Sequence, residues 1–239
     1  MQFDEMIQIQ ERRISKDDPV FIIGEAGVNH NGDPDLAAKL VDVACEAGVD
    51  AVKFQMFKTE DLILHNVEKA PYQKEVTDTK QTQFEMLKKL ELEKETFSKL
   101  KSYCEQKGIL FLCTPCDQNS LEVLDSLGVP AFKIAATDGT NIQFLRQVAA
   151  KKKPIILSAG MCYLEEIKTA LRAICPINQR VILLQCTANY PLDDREVNLN
   201  VMDTLRREFD ILIGYSDHAR GIGAAPYAVA KGARVIEKH

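Results

Sequence analysis

Short apolar runs alternate with amphipathic segments along most of this chain. Each run is apolar throughout, which is typical of a strand in a parallel sheet that is covered on both faces. A polar loop follows, then a segment with apolar positions at helical spacing. Eight such runs predict strands at 20–23, 51–54, 109–112, 131–134, 154–157, 181–184, 211–213 and 234–236.

Five segments between these runs predict helices, at 35–47, 94–106, 119–127, 164–174 and 226–231. Glycine follows several of them, as at a left-handed helix end. Asp33 and Pro34 suit the N-cap and first turn of the first helix. Repeated strand–helix units of this kind form parallel sheets, and eight of them close as a (β/α)8 TIM barrel. A doubly wound open sheet is the alternative, but no glycine-rich dinucleotide fingerprint follows the first strand.

The barrel accounts for residues 19–239, and residues 1–18 precede it. The segments 7–9 and 12–16 predict a short N-terminal hairpin or lid. The sequence ends directly after the eighth strand, so we expect the eighth helix to be missing. Either the chain is a fragment, or another subunit covers that face, as in a homodimer.

One long insertion, residues 61–92, interrupts the strand–helix rhythm. It is highly charged and follows the second strand, so it should lie over the upper face of the barrel. Loops at that face cover and shape active sites. The alternative is an insertion without a role in the site.

Composition narrows the functional classes. Apolar residues make up 46% of the chain, enough for a large core, and the net charge is −5. That charge argues against nucleic-acid or anionic-membrane partners, although not against a local anion site. No apolar run could span a membrane, and the N-terminus has no signal-peptide pattern.

Seven cysteines, an odd number, indicate free thiols in a reducing cytoplasm. Cys113 and Cys116 are interpreted as packing residues rather than a redox or zinc pair.

Two histidines follow neighbouring strands. His218 and His239 come just past the seventh and eighth apolar runs. Because the two strands are adjacent and parallel, both imidazoles should lie at the same end of the barrel. There they could serve as ligands of a divalent metal ion. The alternative is that neither histidine has a role.

Two lysines, Lys53 and Lys133, lie within apolar strands. A buried cation is costly unless an anion meets it. Together with the hydroxyls of Thr114, Ser158 and Ser216, they predict a pocket for a phosphate or carboxylate. Any one hydroxyl taken alone would be read as an ordinary core residue.

Seven motifs in this order resemble the sialic acid synthase family. They are IGEAGVNHNG at 23–32, AVKFQ at 51–55, FLCTP at 111–115, FKIA at 132–135, LSAGM at 157–161, GYSDH at 214–218 and IEKH at 236–239. The resemblance implies a barrel that condenses phosphoenolpyruvate with an N-acylated amino sugar, such as N-acetylmannosamine. The products would be a nonulosonic acid and phosphate, as for the related legionaminic and pseudaminic acid synthases.

The resemblance also implies residue roles. The metal, Mn²⁺ or Mg²⁺, would be held by His218 and His239. The contacts to phosphoenolpyruvate would be made by Lys53, Thr114, Lys133, Ser158 and Ser216. The side chains facing the acceptor sugar and the metal would be Glu25, Gln55 and Tyr190, with Glu25 orienting or deprotonating a sugar hydroxyl or bound water. The family's C-terminal antifreeze-like domain is absent from this sequence.

The chain departs from the family pattern at two places. Ala136-Thr137-Asp138 stands where the family often has Ser-Gly-Glu, and Gln185 and Ala188 stand where it often has His and Asn. These changes affect the expected identity of the acceptor sugar more than the expected reaction class. Two other functions stay open: a metal-dependent aldolase or sugar isomerase, and a sugar-phosphate-binding barrel without catalysis.

Overall fold

The computed structural model describes residues 1–69 and 81–239. The strands in this part of the chain are β1 (Met6–Ile9), β2 (Arg12–Ser15), β3 (Phe21–Gly27), β4 (Ala51–Met56), β5 (Leu110–Pro115), β6 (Phe132–Ile134), β7 (Ile155–Ser158), β8 (Val181–Gln185), β9 (Leu212–Asp217) and β10 (Val235–Lys238). The helices are α1 (Pro34–Glu46), α2 (Thr59–Leu62), α3 (Gln83–Lys88), α4 (Lys94–Lys107), α5 (Gln118–Ser126), α6 (Ile142–Ala150), α7 (Leu164–Ile174), α8 (Asn200–Phe209) and α9 (Ala224–Ala230).

Strands β3 to β10 form a closed barrel in sequence order, with β10 pairing β3. All of its neighbouring strands pair in parallel. Helices separate the consecutive strands and pack their apolar faces on the barrel's outer surface. The predicted (β/α)8 TIM barrel is therefore confirmed.

Several strands extend further than their apolar runs. The prediction ends the first and seventh barrel strands at residues 23 and 213, whereas β3 continues to Gly27 and β9 to Asp217. The extra residues include Glu25 and Ser216, whose polar side chains line the interior at the carboxyl end of the barrel. Helices α6 and α8 are not among the five predicted, although each buries an apolar face.

Local capping agrees with the sequence. The Asp33 carboxylate accepts hydrogen bonds from the backbone N–H groups of Asp35 at 2.8 Å and Leu36 at 3.3 Å. These bonds satisfy N–H groups that the first turn of a helix leaves unpaired. The C-terminus of α4 is capped by Gly108, which adopts the left-handed conformation with φ of 73°.

The N-terminal hairpin, β1 paired antiparallel with β2, closes the amino-terminal end of the barrel. Ile7, Ile9 and Ile14 are at most 1% exposed. They pack in one cluster with residues that begin barrel strands, including Phe21 and Val235. The predicted hairpin is thus present, and it is a plug at the end opposite the strand carboxyl ends.

Shortening one plug residue tests this arrangement. Ile14→Ala should lower the free energy of unfolding by about 2–5 kcal/mol, because the site cannot refill with other side chains. Met6 lies on the same hairpin and is 50% exposed. Met6→Ala should therefore change stability by less than about 0.5 kcal/mol. Urea unfolding of both variants gives the comparison, and equal losses would contradict the plug.

The described parts of the 61–92 insertion lie at the carboxyl face. Glu91 accepts a hydrogen bond from the Thr59 backbone N–H at 2.7 Å. Gly32, in the turn after β3, has φ of 78°, and a Cβ there would meet the Lys89 carbonyl oxygen at 2.2 Å. The middle of the insertion, 70–80, lies outside the described residues.

Four further expectations concern membrane association, the cysteines, the oligomeric state and the location of the protein. Within the described residues, no helix is long and apolar enough to cross a membrane. Cys113 and Cys116 are free thiols, and Cys113 is buried in the barrel wall, as the packing interpretation expects. The homodimer and the cytoplasmic location stay predictions.

Candidate active site

One cavity at the carboxyl end of the barrel brings every predicted site residue together. Its lining includes Glu25, Lys53, Gln55, Thr114, Lys133, Ser158, Tyr190, Ser216, His218 and His239. The remaining lining residues are Ala135, Ala136, Cys186, Ala188 and Glu237. Eight separate segments of the chain therefore meet at this point.

Strand alternation and register explain the convergence. Lys53 and Gln55 are two residues apart on β4, so both side chains face the interior. Lys53 lies beside Glu25 of β3, and Gln55 lies beside Thr114 of β5. Side chains from adjacent strands are thereby placed at the same height in the barrel.

The lysine ammonium groups lie among carboxylates. Lys53 Nζ is 2.5 Å from Glu25 Oε2 and 3.7 Å from Glu237 Oε2. It is also 3.4 Å from the Thr114 hydroxyl. Lys133 Nζ is 3.6 Å from Glu237 Oε1 and donates a hydrogen bond to the Ile134 carbonyl at 3.1 Å. The two cations thus share Glu237 as a counter-ion.

Burial and neighbouring charge shift these groups in different directions. Burial lowers the pKa of Lys133, and Glu237 offsets only part of that effect. Burial also opposes ionisation of Lys53, but Glu237 and Glu25 together raise its pKa above the usual value. Burial raises the pKa of Glu25, with Lys53 opposing. Glu237 is buried as well, yet Lys133 and Lys53 lower its pKa to about 2. Shifted pKa values of buried charged groups in a cleft are typical of a functional site.

The two histidines form a perpendicular pair. Their ring centroids are 4.3 Å apart, with an interplanar angle of 83°. Nδ1 of His218 lies 2.6 Å from the Thr187 carbonyl oxygen, which can only accept a hydrogen bond. The hydrogen therefore sits on Nδ1, and Nε2 carries a lone pair. Burial lowers the pKa of both imidazoles to about 4, so both rings are neutral near pH 7.

This donor set fits a divalent metal ion. Neutral imidazole is a common metal ligand, and a carbonyl acceptor on the second nitrogen fixes the tautomer for binding. Across residues 1–69 and 81–239, no three His, Cys, Asp or Glu side chains group together as a metal cage. Two imidazoles would therefore leave coordination positions for oxygen atoms of substrate or water.

Tyr190 lies over this pair. Its ring stacks on His218 at a centroid distance of 4.0 Å, and its hydroxyl lies 3.0 Å from Nε2 of His218. The residue is 39% exposed, so it forms part of the cavity rim. In this arrangement the tyrosine hydroxyl is hydrogen-bonded to Nε2 of His218, the nitrogen whose lone pair a metal ion would use.

Of the five lining residues outside the prediction from sequence, Glu237 and Cys186 carry ionisable side chains. Glu237 lies two residues before His239 on the last strand, and that spacing was a signal for a shared face. Cys186 offered no such signal. Among the positions where the chain departs from the family pattern, Ala136 and Ala188 line the cavity, whereas Thr137, Asp138 and Gln185 do not.

Comparisons with known proteins identify the family of this chain. Residues 40–239 match the NeuB family. The N,N'-diacetyllegionaminic acid synthase of Legionella pneumophila is 47% identical over 92% of this chain and 63% of its own length. The human N-acetylneuraminate-9-phosphate synthase is 37% identical over 92% of this chain and 62% of its own length. The chain thus spans a little under two thirds of these relatives.

A solved structure shows the same architecture over the whole chain. The N-acetylneuraminic acid synthetase of Leptospira borgpetersenii, in complex with citrate, superposes with a TM-score of 0.88 and 36% identity. The match covers 100% of this chain and 79% of that protein. The match to residues 40–239 confirms the resemblance seen in the seven motifs: this chain belongs to the NeuB family.

Proposed function

We propose that this barrel condenses phosphoenolpyruvate with an N-acylated amino sugar, giving a nonulosonic acid and phosphate. The carrying observation is the placement of Lys53 and Lys133 beside the His218–His239 pair in one cavity. Such a site is suited to bind a phosphorylated acid and a sugar aldehyde at the same time. The relatives are named as synthases of this class of sugar acid, which supports the proposal.

The anionic substrate would be held by the two lysines and the surrounding hydroxyls. Lys53, Lys133, Thr114, Ser158 and Ser216 are each at most 3% exposed. Ammonium groups are strong partners for phosphate and carboxylate oxygens, more so where water is excluded. Donors fixed in this way stabilise negative charge throughout a reaction without reorganising.

The metal, Mn²⁺ or Mg²⁺, would be held by His218 and His239. It would act as a Lewis acid that polarises the aldehyde of the open-chain sugar. Gln55 and Tyr190, higher in the cavity, would contact the acceptor.

The bonds change as follows. The C3 carbon of phosphoenolpyruvate attacks the aldehyde carbon and leaves positive charge at C2. The former aldehyde oxygen takes up a proton and becomes a hydroxyl group. Water adds at C2 and loses a proton. Phosphate then leaves with the C2–O bond broken, and loss of the remaining C2 hydroxyl proton gives the keto acid. Glu25 is suited to accept the proton of water or of a sugar hydroxyl, because burial raises its pKa above that of an exposed carboxyl.

Isotope labelling tests the reaction and the bond that breaks. The chain would be incubated with Mn²⁺ and phosphoenolpyruvate carrying ¹⁸O at the bridging oxygen. The acceptors would be N-acetylmannosamine, other N-acyl hexosamines and a diacetamido hexose. Phosphate should appear only when both substrates are present, and it should contain the label. Label retained in the sugar acid would contradict C–O cleavage.

Sugar turnover without phosphoenolpyruvate would favour an aldolase or isomerase, and tight binding without turnover would favour a binding protein.

A further inference from the structure

We propose that Glu237 is an internal counter-anion that couples the anion pocket to the imidazole pair. In the metal-free protein it neutralises the lysine pocket, and a divalent cation at the histidines relieves that neutralisation. The inference rests on the proposed function for the identity of the anion. It adds a positioning residue and a link between two ligands.

Glu237 lies at the centre of the cluster. Its Oε1 accepts a hydrogen bond from the Ser216 hydroxyl at 2.8 Å and lies 3.6 Å from Lys133 Nζ. The same oxygen is 3.8 Å from Nε2 of His239. Its Oε2 is 3.7 Å from Lys53 Nζ. One carboxylate therefore contacts both ammonium groups and one of the two imidazoles.

The contacts to the lysines supply charge but not hydrogen bonds. Separations of 3.6 and 3.7 Å exceed the hydrogen-bond range of about 2.7–3.2 Å. Within the described residues, the buried Oε2 has no hydrogen-bond partner. Lys133 Nζ directs its hydrogen bond to the Ile134 carbonyl, and an ammonium group has three N–H donors. Donors on Lys133 are thus left for an incoming oxyanion, while its charge is already balanced.

The charges add up to little net attraction for an anion. Lys53 is paired with Glu25, and Glu237 is the carboxylate that pairs with Lys133 in the described part of the chain. Two carboxylates thus balance two ammonium groups, and the pocket offers hydrogen-bond donors without an excess of lysine charge. A divalent cation at the histidines would add two positive charges within a few ångströms of Glu237, and would release the field of Lys133 to a bound anion.

Orthophosphate binding to the metal-free protein tests the role of Glu237 directly. Chelator-treated wild-type chain should bind orthophosphate at least about tenfold more weakly than Mn²⁺-loaded chain by calorimetry, within the usual range of coupling between sites. Glu237→Gln keeps the shape and removes the charge. Its metal-free affinity for orthophosphate should exceed that of the metal-free wild type by at least about tenfold.

Two control variants accompany the test. Glu237→Asp keeps the charge, so its metal-free affinity should lie closer to wild type than that of the glutamine variant. Glu122 pairs with Lys151 at 2.7 Å on the barrel's exterior. Glu122→Gln likewise removes the carboxylate that pairs with a lysine, and it should leave orthophosphate affinity unchanged.

Two results would overturn the inference. One is a metal-free affinity of Glu237→Gln equal to or below that of the wild type. The other needs no variant: wild-type chain that binds orthophosphate equally well with and without Mn²⁺. Neither measurement involves an acceptor sugar or turnover, so failure of the condensation assay and failure of this inference are distinguishable.

Discussion

His218→Ala should abolish stoichiometric binding of Mn²⁺ and, with it, the proposed condensation reaction. The substitution removes one of two imidazole ligands, and the structure offers no third His, Cys, Asp or Glu in a metal cage among the described residues. Loss of an outer-shell partner alone costs about 10–100-fold in metal affinity, and loss of a ligand should cost more. Metal content after equilibrium dialysis, and a Mn²⁺ titration, measure the effect.

His65 provides the matched control. It is exposed, and its ring lies against Phe84, with centroids 3.9 Å apart. His65→Ala should keep the wild-type metal content, and His239→Ala should behave like His218→Ala. Wild-type Mn²⁺ affinity in both cavity variants would refute the assignment of the ligands. Thermal melts of each variant exclude unfolding as the cause.

Lys53→Met should both destabilise the barrel and inactivate it. The lysine lies between Glu25 and Glu237, and the three side chains are at most 5% exposed. Removing the cation leaves two buried carboxylates without their shared partner, at a cost of about 3–5 kcal/mol in unfolding free energy. Loss of one fixed charge facing the reacting anion should lower kcat/KM by about 10²–10³-fold.

The stability loss should depend on pH in a defined direction. Without Lys53, the folded-state pKa of Glu25 rises further above its unfolded value, so the folded state binds a proton more readily. The penalty is therefore full at high pH and shrinks as pH falls through that raised pKa. Denaturant unfolding at pH 8 and pH 5 measures it. A larger loss at pH 5 would show that the pair is not ionised in the folded protein.

Lys101→Met is the control for an exterior pair. Lys101 lies one turn from Glu105 on α4, 2.5 Å away, and the glutamate side chain is 53% exposed. Solvent-exposed pairs contribute about 0–1 kcal/mol. This variant should keep near wild-type stability and full activity. A loss matching that of Lys53→Met would mean that burial is not what makes Lys53 important.

The barrel could be predicted because its strands are uniformly apolar in the middle. The pattern loses its signal where the strands turn polar, at residues such as Glu25, Thr114 and Ser216. These residues are in strands because barrel pairing continues through them, and only the tertiary structure shows that their side chains have an enclosed interior to face. The same reason explains why the hairpin was recognised but its location was not. The sequence of Ile7, Ile9 and Ile14 shows a buried face, but not which end of the barrel buries it.

The convergence of the predicted residues in one cavity could be anticipated from the sequence, but the electrostatics among them could not. Strand-end position placed Lys53, Lys133, His218 and His239 in one cavity. The balance between two ammonium groups and two carboxylates depends on distances of 2.5 to 3.7 Å across β3, β4, β6 and β10. No spacing along the chain encodes those distances, so the role of Glu237 as a shared counter-ion emerged only from the coordinates.

The isoleucines that fill the amino-terminal end also limit the order of events. Because these residues close the base, the described part of the chain leaves access from the carboxyl end, so a molecule that binds deep must enter first and leave last. The ammonium groups on β4 and β6 lie below the tyrosine at the rim. An acceptor seated at that rim would obstruct the passage behind it, and the three-carbon acid would accordingly have to be in place before the sugar arrives.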